Sequence, residues 1–416
     1  MKTNDFAITL PASKSMSLRC LVIKQLQPKA SFQGHLSDAD DVNVMRRILR
    51  SFTATDQSEN TPVKLDCGQS AAAARFILAL LATRPTPATL IDGDAQLRLR
   101  PVAPLVDALR SLGGNKIEYL EKEGFLPLIV EGGEPVMKLV EIDPTMSGQY
   151  VSALLLSAAS TPRGLHVRMS HPPASRPYIE MTCAMLAKSG APNDYSPSHT
   201  TIRQQPFDPH NQCRPIVVER DWSAAAFFYM AALFLPRRRI RLVNLNLDSL
   251  QGDRVTADIF KQLGVSSKEA RSPYRNSRSL LIEGGGEMRS RMVYDFSDCP
   301  DLVIPVAVSC AAMGIEAHLS GLKTLRYKEC DRLLALDTEL GKMGARIESK
   351  EDSLHILPSV LKPEQTVCTY GDHRMAMAFG TLRILFPDLK IDHPEVVSKS
   401  FPDFWNQLST LIQNLV

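Results

Sequence analysis

In RLLALDTELGKMG (332–344), Leu333, Leu336, Leu340 and Met343 fall at helical spacing, and Gly344 stands where a left-handed C-cap belongs. The residues that follow, ARIESKEDSLHILPS (345–359), read as a pair of strands. The same order of amphipathic helix, terminal glycine and strand pair recurs in LVDALRSLGG (105–114), IEMTCAMLAKSG (179–190) and VTADIFKQLG (255–264). The closing glycine therefore returns roughly every 75 to 80 residues, a period that marks a repeat architecture. Amphipathic segments at 41–52 and 404–416 extend the series at both ends, which predicts six units of about 69 residues in a chain of 416.

A second set of helices interleaves with the first and has no polar face: SLRCLVIKQL (17–26), SAAAARFILALLA (70–82), GQYVSALLLSAA (148–159), SAAAFFYMAALFL (223–235), DLVIPVAVSCAA (301–312) and HRMAMAFGTLRILF (373–386). Helices apolar all round belong inside a domain. Between the two sets lie strand candidates: ATLIDG (88–93), LHVRMS (165–170), RIRLVNLN (239–246), EAHLSG (316–321) and LKIDHP (389–394). The pattern predicts an α/β chain in two domains of three units each, dividing just before Asp221.

Lys plus Arg is 48 and Asp plus Glu is 45, a net charge of +3, with 44% hydrophobic and 22% charged residues. That balance excludes a general binder of nucleic acid or membrane surfaces, so anion binding must be local. The eight cysteines form no CxxC pair, which argues against zinc ribbons and a disulfide framework and points to the reducing cytoplasm. The start, MKTNDFAITLPASKS (1–15), lacks the apolar run of an export signal. The longest uncharged stretch, 144–162, is broken by Thr, Ser, Gln and Gly and reads as a buried helix rather than a membrane span.

Polar and ionic residues gather just before the apolar helices: Lys14, Ser15 and Arg19; Gln69, Ser70 and Arg75; Ser147 and Gln149; Asp221; Asp301; Asp372 and Arg374. A helix N-terminus already carries about half a positive charge, so cations added there suit an arriving anion better than the helix. Taken singly, SKSMSLR (13–19) reads as a serine cap, KECDR (328–332) as a surface charge cluster and DHRMAM (372–377) as an aspartate cap. Taken together, over both halves, they suggest a cleft between two domains lined for a polyanion.

PASKSMSLR (11–19), CGQSAAAARF (67–76), RPVAPLVDAL (100–109), SGQYVSALLL (147–156), SRPYIE (175–180), LQGD (250–253), PDL (300–302), KECDR (328–332), DHRMAM (372–377) and SKSFPDF (398–404) occur in one order along the chain. In that order they closely resemble the enolpyruvyl transferase family, in its branch that acts on shikimate 3-phosphate. The resemblance implies a two-domain inside-out α/β barrel of six βαβαββ-type units. One domain would span 13–219 and the other 1–12 with 220–416, joined by a hinge of two crossings that closes over the site.

The implied reaction transfers the enolpyruvyl group of phosphoenolpyruvate to the 5-hydroxyl of shikimate 3-phosphate and releases phosphate. By resemblance Asp301 is the base, and Glu329 is a candidate proton donor with Lys14 nearby. Shikimate 3-phosphate would meet Lys14, Ser15, Arg19, Ser147, Gln149, Ser175, Tyr178, Asp301 and Lys328. Phosphoenolpyruvate would meet Lys14, Ala71, Arg100, Gln149, Arg332, Arg374 and Lys399, with arginine forks holding its carboxylate and phosphate. No metal or organic cofactor is implied, and no nucleic-acid or membrane partner; a cytoplasmic monomer is.

The chain departs from the family pattern at four places. Ala71 and Ala72 replace a common Gly-Thr, and the added methyl predicts a pocket too narrow for glyphosate, which is longer than phosphoenolpyruvate. Gly148 stands where a second Ser is common, Thr324 where some members have Asn, and Gly371 replaces an Asn before the DHR motif. One alternative is the branch acting on UDP-N-acetylglucosamine, which uses a reactive cysteine; Cys67 and Cys330 lie within motifs of the shikimate branch instead. The other is a non-catalytic anion-binding homologue, which predicts loss of Asp301, Glu329 or Lys14, yet all three are present.

Overall fold

The computed structural model describes residues 5–51, 63–208, 210–271 and 278–413. The ends of the amphipathic segments expected at 41–52 and 404–416 fall on residues 52 and 414–416, outside the described residues. The chain separates into two compact units, Met1–Ser13 with Glu219–Val416, and Lys14–Val218.

In the Lys14–Val218 unit, Val63–Asp66 and Thr86–Asp92 pair in parallel through the crossover helix Ala71–Ala82. Leu128–Gly132 and Lys116–Tyr119 then add in antiparallel fashion. Leu139–Ile142, the helix Gly148–Ala158 and Leu165–Met169 repeat the parallel crossover, with Thr201–Gln204 antiparallel beside it. A short parallel pair, Phe32–Gln33 with Ile216–Val217, accompanies the helix Lys14–Leu26. The three apolar helices form the centre of this unit: in Ala71–Ala82 only Ala72 escapes full burial.

In the other unit Arg291–Asp295, the helix Val303–Met313 and Glu316–Ser320 make the same parallel crossover, completed by Ser353–Leu357 and Arg346–Ser349. Phe6–Ile8 pairs in parallel with Arg239–Val243, which follows the helix Trp222–Phe234. Arg278–Glu283 and Ser266–Arg271 complete that sheet antiparallel. Trp222–Phe234, Val303–Met313 and His373–Thr381 share one continuous core with Phe260, Phe296, Phe401 and Phe404.

Two glycines show how closely strand and buried helix approach. A Cβ on Gly132 would lie 1.9 Å from the Leu81 carbonyl oxygen, and one on Gly284 would lie 2.0 Å from that of Ala232. Any side chain there would push the strand off the helix end.

The amphipathic helices are Asp40–Ser51, Ala103–Leu112, Arg176–Lys188, Thr256–Gln262, Arg332–Lys342 and Phe404–Gln413. LKIDHP departs from expectation: instead of a strand it makes one isolated bridge, Val367 with Ile391, before Pro394 opens a short 3-10 helix, Pro394–Lys399. Among the described residues no helix is long and apolar enough to cross a membrane.

Candidate active site

The Glu219–Val416 unit gathers Asp301, Lys328, Glu329, Arg332 and Arg374 at or just before helix N-termini, with Lys399 closing the 3-10 helix Pro394–Lys399. Asp301 sits in the 3-10 turn Pro300–Leu302 that leads into Val303–Met313. Arg332 opens the helix Arg332–Lys342, capped by Asp331. Arg374 lies in the first turn of His373–Thr381, whose cap is Asp372.

Arg332 is the hub, with its side chain 1% exposed. Its Nη1 donates to Asp301 Oδ1 at 2.8 Å, its Nη2 to Glu329 Oε2 at 2.8 Å, and its Nε to Asp372 Oδ2 at 2.7 Å. Lys328 Nζ stands 3.1 Å from Asp301 Oδ1, Arg374 Nη2 3.1 Å from Asp301 Oδ2, and Lys399 Nζ 3.4 Å from Glu329 Oε1.

Burial alone would raise the Asp301 pKa, but Arg374, Lys328 and Arg332 outweigh it and hold the carboxyl well below its ordinary value. Burial likewise opposes the charge on Arg332, and Asp372, Glu329 and Asp301 more than restore it. Lys328 is pulled down by burial against the pull of Asp301. The result is an ionised Asp301 with cations held around it, an arrangement that an anionic ligand can enter by exchanging with that carboxylate.

The Lys14–Val218 unit carries the other expected residues. Lys14 begins the helix Lys14–Leu26, and its Nζ pairs with Asp41 Oδ2 at 2.9 Å. Arg19, one turn on, donates from Nη1 to the Ser15 carbonyl, from Nε to Thr182 Oγ1 at 2.7 Å, and from Nη2 to Ser152 Oγ and the Tyr178 carbonyl. These bonds tie Ser15 and Tyr178 together and leave Arg19 mostly committed to the protein; burial lowers its pKa to about 10.

Ser147 caps the helix Gly148–Ala158, and Gln149 follows in its first turn. Ser175 precedes Arg176–Lys188 with φ at 55° and makes no side-chain cap. Ala71 is the buried first residue of its helix, behind the Ser70 cap. Arg100 lies in the half-buried turn that leads to Pro101.

Three of the departures acquire physical reasons. A Cβ on Gly148 would stand 2.5 Å from the Ala174 carbonyl oxygen, so serine does not fit there without a shift. Gly371 has φ at 67°, a left-handed conformation that asparagine also tolerates, so the exchange between them preserves the turn. The Thr324 hydroxyl is buried and has no hydrogen-bond partner among the described residues.

Reading by sequence missed the residues that hold the expected ones. Asp372 shows locally as a cap, and it does accept from the Arg374 N–H at 2.8 Å, but it also anchors Arg332 from 40 positions away. Asp41 acts on Lys14 from 27 positions away, Thr182 on Arg19 from 163, and Arg75 on Gln149 from 74. Cys67 is fully buried with its thiol pushed up to about 12 by burial, and the Cys330 thiol is likewise raised by burial, so neither is a ready nucleophile. Among the described residues no group of three or more His, Cys, Asp or Glu is arranged to hold a metal ion.

Clustered guanidinium and ammonium groups around buried carboxylates, set at the helix N-termini of an α/β chain, define an enzyme site for small, highly anionic substrates. Comparison with known proteins narrows that class. The family model for EPSP synthase (3-phosphoshikimate 1-carboxyvinyltransferase) matches residues 5–408, and the chain belongs to that family. It is 37% identical over 406 residues to the 3-phosphoshikimate 1-carboxyvinyltransferase of Bacteroides fragilis, covering 96% of this chain and 94% of the relative. It is 30% identical to that of Photorhabdus laumondii, covering 98% and 96%. Among solved structures, EPSP synthase from Acinetobacter baumannii shares the fold, with a TM-score of 0.69 and 21% identity over 97% of this chain and 95% of that one.

Proposed function

We propose that this protein transfers the enolpyruvyl group of phosphoenolpyruvate to the 5-hydroxyl of shikimate 3-phosphate, releasing phosphate. The observation that carries the reading is the Arg332 hub, where Asp301, Glu329, Lys328, Arg374 and Lys399 meet as ion pairs in a chain of this family.

Arg332, Arg374, Lys399, Lys14, Arg100, Gln149 and the backbone at Ala71 are the groups assigned to phosphoenolpyruvate. Lys328 and Asp301, with Lys14, Ser15, Arg19, Ser147, Gln149, Ser175 and Tyr178, hold shikimate 3-phosphate, and both sets serve one reaction. Substrate anions that draw Lys328, Arg332 and Arg374 away from Asp301 remove the charges that depress its pKa, so ligand binding itself makes Asp301 a stronger base.

Asp301 then takes the hydroxyl proton as the 5-oxygen attacks the central carbon of phosphoenolpyruvate. Glu329, with Lys14, supplies the proton to the methylene carbon. The resulting tetrahedral intermediate expels phosphate while its methyl group returns a proton to Glu329, which restores the methylene of the enolpyruvyl ether, and the cations now held on the substrate stabilise the departing charge.

The finer architecture belongs to the same proposal: an inside-out α/β barrel in each of two domains, six units in all, and a hinge at the two crossings near 12 and 220. It is supported by the recurrence of a parallel crossover pair with antiparallel strands beside it. The protein acts as a cytoplasmic monomer. Incubating the purified protein with both substrates and following ³¹P NMR tests the reaction: new enolpyruvyl ether and inorganic phosphate in equal amounts are expected, and unchanged spectra would refute it.

A further inference from the structure

Arg75 was not among the residues expected to meet substrate, yet it joins several of them. It projects from the helix Ala71–Ala82, is 5% exposed, and lies with its guanidinium carbon 4.8 Å from the centre of the Tyr150 ring. Its Nη1 donates to Gln149 Oε1 at 2.8 Å and to Ser147 Oγ at 3.3 Å, and its Nη2 to the Pro101 carbonyl at 3.2 Å. The Tyr150 hydroxyl donates to that same carbonyl at 2.8 Å. Stacking on the ring and bonding to Pro101 fix the guanidinium in place.

A guanidinium has donors only, so the face that Gln149 turns to it must be the amide oxygen. The NH2 group then points the other way. It has no protein partner among the described residues, and Gln149 is half-buried at the start of its helix.

We propose that Arg75 is a positioning residue that locks the Gln149 amide with its NH2 turned outward, as a donor for an anionic substrate. This rests on the reading that Gln149 meets phosphoenolpyruvate. Without the lock, the amide can turn its oxygen outward, and an acceptor facing an anion repels it. The lock thus selects one of two nearly isosteric orientations, and Arg75 acts on the substrate only through Gln149.

The test is a double-mutant cycle on the full chain, read as KM for phosphoenolpyruvate at saturating shikimate 3-phosphate and as melting temperature. R75M keeps the packing on Tyr150 and removes the donors; R75K is the second variant should R75M fail to fold. A charge-assisted hydrogen bond corresponds to roughly a tenfold or larger effect, so R75M should raise KM about tenfold in the parent but less than about threefold when Gln149 is already alanine. Equal factors in the two backgrounds would overturn the proposal.

Q149E supplies a readout that needs no turnover. It keeps the acceptor facing Arg75 and replaces the outward donor by an oxygen. It should melt at or above the parent with Arg75 present, lose that advantage in R75M, and raise KM by more than tenfold. An identical effect of Q149E on melting with and without Arg75 would overturn the lock. Absence of turnover in the parent would instead refute the functional reading, with the melting data still deciding the lock.

Discussion

Replacing Arg332 by methionine removes the cation that three carboxylates share. Asp301 would keep Lys328 and Arg374, and Glu329 would keep Lys399. Asp372, with its side chain 0% exposed, would keep the Arg374 N–H, the Cys330 thiol at 3.9 Å and the His373 ring at 3.9 Å, none of them a fixed cation. Removing one partner of a buried ion pair typically costs about 3–5 kcal/mol. In a unit of about 200 residues each kcal/mol moves the melting temperature by about 2–4 °C, so R332M should melt about 6–20 °C lower.

The cause is specific and can be reversed. In R332M/D372N the stranded charge is gone, while the Asn oxygen still caps His373–Thr381, so the double variant should recover most of the loss. Calorimetry of the full chain at pH 7.5 measures both. A shift below about 2 °C in R332M, or a double variant less stable than R332M, would refute the hub as the organiser of this site.

Other consequences follow from the same geometry. Asp253 is buried beside Ser223, and burial, partly offset by Arg374, raises its pKa to about 6 from an ordinary 3.8. Its folded form therefore binds a proton more tightly than the unfolded chain, and its contribution to stability falls as pH rises from about 4 to 6; D253N should be more stable than the parent at pH 8 and equal to it at pH 4 in urea unfolding. Asp301 has the opposite sign: held below 3.8, it contributes stability that is complete above that value and lost as pH falls further, so D301N should flatten the acid limb of the unfolding curve below pH 4. D301N and E329Q should each lower kcat by about 10² to 10⁴ while titration calorimetry still detects shikimate 3-phosphate, and near-parental turnover in both would remove their assigned roles. A methyl group changes binding about 10- to 200-fold in a tight pocket, so A71G should inhibit at correspondingly lower glyphosate than the parent; low-micromolar inhibition of the parent would contradict the narrowed pocket.

The buried helices could be read from sequence because their signal is local and complete: Trp222–Phe234 is apolar on every side and is buried on nearly every side. The terminal glycines were equally legible, since Gly113, Gly190, Gly264 and Gly344 all take the positive φ that a chain leaving a helix favours. LKIDHP carried a strand-like alternation, but a strand needs a neighbour, and only Ile391 finds one. The cations of the site stood out as charges in the wrong place for a helix N-terminus, whereas their supports did not. Asp372 looked like a cap because it is one, and nothing around it announces Arg332. Arg75 sits among alanines that fix its helix but not its reach to Gln149, which depends on the packing of Ala71–Ala82 against Gly148–Ala158.

The central claim, that this site moves an enolpyruvyl group to shikimate 3-phosphate, is tested most directly by phosphate release from phosphoenolpyruvate in three parallel reactions: no acceptor, shikimate 3-phosphate, and UDP-N-acetylglucosamine. Release that requires shikimate 3-phosphate and is absent from the other two is the expected result. Release with UDP-N-acetylglucosamine instead, or none in any reaction from a folded protein, would contradict it.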